Sequence, residues 1–171
     1  DLKGSEYYTI YLRDLTDNNN LSDQIENTSG SITWSLDSKS FFYSKLDKFH
    51  RPRKIYKHFL GKPTENDELI FEEKDETFTC GIDLTSDEKY FVISTSDHIT
   101  TEEYFFDSNS NEIKPKLFKK RKKDVRYSLD SWGDYFYVHT NENARDYKIL
   151  RCKKDNIEYL EEFIPPKKET V

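Results

Sequence analysis

The sequence predicts an all-β protein, a partial β-propeller of about three to three and a half four-stranded antiparallel blades. Three observations predict it. A hairpin pattern recurs: "ITWSLDSKSFFYSKLD" at 32–47, "GIDLTSDEKYFVISTSD" at 81–97 and "YSLDSWGDYFYVHTNEN" at 127–143. Residues that favour helices are scarce, with Ala144 the only alanine and no methionine, whereas 12 Tyr and 12 Phe favour strands. The turns "LDSKS", "TSDEK" and "DSWGD" use Asp and Ser, whose side chains bond the local backbone. A β-sandwich is the competing arrangement of such strands.

The elements follow in order. Residues 1–30 read as an incomplete first blade, outer strands only: a third strand over Tyr7–Leu15, a poor fourth near Ile25, and an inner remnant at Asp1–Lys3. Residues 31–76 form a blade, adding "KIYKHFL" and "LIFEE", around Phe71, to the hairpin. Residues 77–123 form the next, with "EEYFFDS" and "KLFKK" around Phe118. Residues 124–171 hold the last blade and a C-terminal tail, with "DYKILRC" and, more loosely, "IEYLEEF" around Tyr159.

Aligned on the second strand, Phe41, Tyr90 and Tyr135 fall 49 and 45 residues apart. Fourteen residues beyond each come Ile55, Tyr104 and Ile149, and Ile10 lies 45 before Ile55. Repetition has a physical reason: one four-stranded sheet buries its faces only by stacking on a neighbour, and aromatic side chains fill the gap. Trp34, in a first strand, is expected in the core, and Trp132, in a turn, partly exposed. The chain opens at Asp1 and in the middle of a blade, so the expectation is a segment of a larger propeller. Its cut edges would then be open to self-association.

Composition bounds the function. Charged residues make up 35% and mean hydropathy is -0.96, but the aromatic fraction of 15% argues against disorder. A net charge of -6 argues against nucleic acid as a partner. No apolar run approaches the ~18 residues of a spanning helix, so no membrane partner is expected. Cys80 and Cys152 read as reduced strand residues in a cytoplasmic protein, with a single disulfide as the alternative.

No catalytic, cofactor or metal motif is present. Gly4, Gly30, Gly61, Gly81 and Gly133 include no pair four apart, so the G-x-S-x-G elbow is absent, as are G-x-G-x-x-G and the P-loop. His50, His58, His98 and His139 have no zinc-site spacing and read as turn or strand-surface residues. "KLFKKRKKDVR" places six cations in the eight positions 116–123. An anion or RNA patch is one reading; a solvated connection guarding a strand edge is the other. "HRPRK", with His50, Arg51, Arg53 and Lys54, joins a second to a third strand and is the candidate domain-docking loop.

"ENTSGSITWSLDSKSFFYSKLDKFHRPRKIYKHFLGKP", 26–63, resembles the propeller of the prolyl oligopeptidase family of serine peptidases. The short "HRPRK" connection, "GSEYYTIYLRDL", "EEKDETF" and "DEKYFVISTSDHITTE" look like its oligopeptidase B (protease II) branch. The resemblance implies a seven-bladed propeller capping an α/β-hydrolase domain, which carries the catalytic Ser, Asp and His and would be this segment's partner. It implies peptide substrates cut after Arg or Lys, a cap that restricts substrate size, and no cofactor. This chain would itself be inactive. The alternative is a stand-alone propeller-type interaction module.

Overall fold

The computed structural model describes residues 4–166. Asp1–Lys3, where an inner-strand remnant was expected, and residues 167–171 of the tail lie outside the described residues. Strands β1 (Tyr8–Arg13), β2 (Asn20–Trp34), β3 (Ser40–Leu46), β4 (Pro52–Phe59) and β5 (Glu68–Glu72) form one antiparallel sheet in chain order. β6 (Thr79–Leu84), β7 (Tyr90–Ser96), β8 (Thr101–Asp107) and β9 (Lys116–Lys119) form a second. β10 (Tyr127–Trp132), β11 (Tyr135–Thr140), β12 (Lys148–Lys153) and β13 (Glu161–Ile164) form a third. Successive meanders of this kind are propeller blades. Among the described residues there is no α-helix, only a 3-10 turn at Thr64–Asn66. The chain divides into two compact units, Asp1–Ile82 and Asp83–Val171, the boundary falling inside β6.

In the first unit the strands expected at 1–30 share a sheet with those that follow. β2 is one strand serving two neighbours: its residues 20–28 pair with β1, and Thr28 and Ile32–Trp34 pair with β3. The changeover is a bulge at Gly30, whose φ of 86° is left-handed. A Cβ there would sit 3.0 Å from the Tyr8 ring. Thr28 closes the bulge, its Oγ1 donating to Tyr8 O and accepting from Gly30 N. Ile10, Leu12, Ile25, Phe41 and Tyr43 form the core beneath.

The repeat holds in hydrogen bonds, one residue away from the sequence alignment. Ser35 N donates to Ser40 O in the first hairpin, and Thr85 N to Tyr90 O in the second. Ser38 and Glu88 take matching left-handed φ values of 55° and 58°. Tyr90 therefore corresponds to Ser40, and Phe91 to Phe41. The third hairpin is tighter, a two-residue loop between Trp132 and Tyr135 with Gly133 at φ 59°. Its buried equivalent is Phe136. Phe41, Phe91 and Phe136 pair with His58, Phe106 and Cys152, all six buried.

In the second unit Phe136 lies between the sheets, its ring 4.9 Å from both Tyr90 and Phe105 and 5.9 Å from Phe118. Polar ties run beside it. Ser86 N and Oγ donate to Asp130, while Ser131 Oγ and Lys154 Nζ donate to Asp87.

Two placements differ from expectation. Trp34 is 40% exposed because it ends β2 beside the turn, and it meets Phe41 in an edge-to-face contact with centroids 5.2 Å apart. The last strand begins at Glu161, beyond Tyr159, because Ile157 and Leu160 are held against the core and delay the return to the sheet.

Candidate functional site

The docking-loop residues do not form a free cationic surface. The loop between β3 and β4 is organised by Asp47, whose Oδ1 accepts from Phe49 N at 2.7 Å and Arg51 N at 3.0 Å. Burial raises the Asp47 carboxyl, but these bonds and the charges of Arg51 and Arg53 hold it below its ordinary value. His50 takes a left-handed φ of 60° and lies against Tyr7, ring centroids 4.1 Å apart. Arg51 donates to Glu76 O. Arg53 Nη2 donates to Glu73 O at 3.0 Å and Lys74 O at 3.1 Å, with Glu76 3.5 Å from its Nη1. Lys54 Nζ lies 3.5 Å from Glu72.

Arg51, Arg53 and Lys54 thus converge on residues 72–76, and His50 stands apart on Tyr7. Phe49 is the exposed apolar side chain of the loop, at 58%, with Lys48 and Arg51 over its ring at 4.9 and 5.0 Å. Sequence reasoning passed it over, since one aromatic beside four basic residues draws no notice.

His58, expected on a turn or strand surface, is fully buried instead. Its Nδ1 is 2.7 Å from Asp67 Oδ1 and its Nε2 2.9 Å from Asp23 Oδ1. Asp23 also accepts from Gly61 N, and Asp67 from the Tyr43 hydroxyl at 2.8 Å. Burial raises the Asp23 carboxyl, yet the bonds from His58 and Gly61 outweigh it and the net shift is downward. Burial and the Asp67 carboxylate push the Tyr43 hydroxyl far up.

An imidazole between two carboxylates has the ingredients of a proton relay. Here it is sealed from substrate, and the hydroxyl it reaches through Asp67 belongs to the buried Tyr43. The cluster therefore acts as a tie between β2, β4 and the segment before β5. The signal that finds it is the repeat itself: the matching positions, Phe106 and Cys152, are buried.

Three of the six cations of the basic stretch are ion-paired. Arg121 Nη2 lies 2.9 Å from Glu102, and Lys119 and Lys122 lie 2.5 and 3.3 Å from Glu142. Among the described residues no group of His, Cys, Asp and Glu is placed to hold a metal ion, and no helix is long and apolar enough to cross a membrane.

Three successive antiparallel meanders, the second and third packed through aromatic side chains, define a propeller segment. The chain belongs to the prolyl oligopeptidase family: the model of its N-terminal β-propeller domain matches residues 1–171. Protease 2 of Moraxella lacunata is 35% identical over 168 residues, which cover 93% of this chain and 24% of that protein. Dipeptidyl aminopeptidase BI of Pseudoxanthomonas mexicana is 30% identical over 158 residues, 91% of this chain and 22% of that one. Among solved structures, oligopeptidase B from Leishmania major superposes with a TM-score of 0.89 at 26% identity, covering 95% of this chain and 23% of its own. Oligopeptidase B from Trypanosoma brucei, with covalently bound antipain, gives 0.85 at 26% identity, covering 98% and 24%. The chain thus spans about a quarter of the length of the relatives it matches.

Proposed function

We propose that this chain is a non-catalytic part of the propeller of an oligopeptidase B-like serine peptidase. It would help form the cap that admits peptides and keeps folded proteins out, over an α/β-hydrolase domain that cleaves after Arg or Lys. The observation that carries the reading is the match of the family's propeller domain along the whole chain. Several features support it: antiparallel blades, no nucleophile elbow among the five glycines, and a histidine–carboxylate cluster closed to substrate. Two buried thiols fit a reducing, cytoplasmic setting. β13, the last strand of its sheet, exposes Phe163 and Ile164 and is the edge through which the isolated chain would self-associate.

Within this reading the β3–β4 loop docks on the catalytic domain through Phe49 and Lys54, while Arg51 and Arg53 hold the loop in shape. The test uses the coding region extended beyond Val171 until it includes a G-x-S-x-G elbow, an Asp and a His. Phe49→Ser with Lys54→Glu is expected to raise KM for Arg- and Lys-containing peptides severalfold while the melting temperature stays within a few degrees. Unchanged kinetics would end the docking role. If no such elbow is encoded in the same frame, the chain is a stand-alone interaction module.

A further inference from the structure

The corrected alignment exposes an odd residue. Three positions beyond Phe41, Phe91 and Phe136 stand Ser44, Ser94 and His139, which pair with Ile55, Glu103 and Ile149. Two sheets place isoleucine there. The second places a glutamate, and buries it to 3% exposure. An unpaired buried charge is costly, so its retention calls for an explanation.

Glu103 spans the seam between the second and third sheets. Its Oε1 accepts from Ser94 Oγ at 2.7 Å in its own sheet, and its Oε2 from Leu129 N at 2.6 Å in β10. Its backbone N donates to the Tyr127 hydroxyl at 2.8 Å, and that hydroxyl donates to Lys119 O. The residue borders a polar cleft of about 350 Å³, open to solvent, lined also by Ser96, Arg126, Ser128, His139 and Tyr147.

We propose that Glu103 is a proton-operated tie between the two sheets: neutral, with its proton on Oε1 directed to Ser94 Oγ and Oε2 still accepting from Leu129 N, it holds the seam closed; ionised, it lets the seam loosen and admit water from the cleft.

The surrounding charges leave Glu103 without a counter-ion. On β8 its neighbour Glu102 is engaged by Arg121 and by the Tyr104 hydroxyl. β7 contributes only hydroxyls, from Ser94 and Ser96. On β9, Lys119 is directed to Glu142. Just before β10 and on β11, Arg126 and His139 line the cleft but are exposed, and Tyr147 stacks on His139 at 4.7 Å. Among the described residues no cation is ion-paired with Glu103.

Burial pushes the Glu103 carboxyl up to about 7 from 4.5, against the bonds from Ser94 and Leu129 that pull it down. An acid raised on folding binds more protons in the closed seam than in the opened one. Closure is therefore favoured at low pH and weakens as pH rises from 4.5 through about 7, levelling off above. Between pH 6 and pH 8 these two values make opening about tenfold more frequent.

Two measurements test this on the chain. The first is a carbon-13 titration of the Glu103 carboxyl in the unsubstituted protein, with an expected midpoint near 7; a midpoint near 4.5 would overturn the proposal. The second is exchange of the Leu129 amide at pH 6 and pH 8, corrected for its intrinsic rate. A loss of protection of about tenfold is expected, absent in Glu103→Gln and in Glu103→Ile, which copies the other sheets. Equal protection at both pH values in the unsubstituted chain, or the same loss in both variants, would also overturn it.

Discussion

Replacing His58 by leucine would leave two buried carboxylates, Asp23 and Asp67, with side-chain exposures of 3%, facing an apolar side chain. The two imidazole–carboxylate bonds that disappear are 2.9 and 2.7 Å long and hold β2 and the segment before β5 onto β4. Breaking one side of a buried pair costs about 3–5 kcal/mol, because the remaining charge keeps its desolvation penalty without its partner. For a chain of this size that lowers the melting temperature by about 6–20 °C. The assay is denaturant unfolding followed by tyrosine and tryptophan fluorescence, with amide exchange to locate the change. Loss of protection is expected in residues 4–82, with 83–166 spared. Replacing Asp23, His58 and Asp67 together by leucine should recover much of the loss, since the stranded charges go too. A single-substitution cost below about 1 kcal/mol would refute the reasoning, as would a triple variant no better than the single one. The pH dependence has a definite sign. The Asp23 carboxyl is held below its ordinary 3.8 on folding, so its contribution is fully present above that value and lost as pH falls through the folded one.

Gly30→Ala should destabilise the first unit by about 1–3 kcal/mol, read as a lower denaturant midpoint, because it combines a left-handed φ with a contact on Tyr8; a neutral result would mean the bulge relaxes freely. Cys80 and Cys152 should resist a thiol reagent at pH 8 in the folded chain, because burial pushes their thiols up to about 12 and about 11. Their modification should follow the rate of unfolding, and fast labelling of either without unfolding would contradict their placement.

The blades were legible in the sequence because a β-meander writes its period into apolar runs and its turns into Asp and Ser. Ser35, Asp37, Thr85 and Asp87 do bond the local turn backbone or one another. The register slipped by one residue because two neighbouring aromatics compete at each hairpin, Phe41 with Phe42 and Tyr90 with Phe91. Periodicity alone does not choose between them; pairing does. That slip hid His58 and Glu103, polar residues standing where the repeat otherwise buries apolar or thiol side chains. The bulge at Gly30 was hidden for another reason: a left-handed glycine inside a continuous strand looks like the gap between two strands. The candidate docking loop was legible as a basic loop. The fate of its cations was not, since Arg51 and Arg53 spend their donors on carbonyls of residues 73–76, more than twenty positions away or close to it.

The central proposal is that this chain carries part of the propeller of a peptidase and none of its chemistry. The most direct measurement incubates the purified chain with fluorogenic Arg- and Lys-containing peptides and, in parallel, with a fluorophosphonate that labels activated serines. Turnover at the buffer level and no covalent label are the predicted results; stoichiometric labelling of a serine, with peptide cleavage that the label abolishes, would contradict the claim.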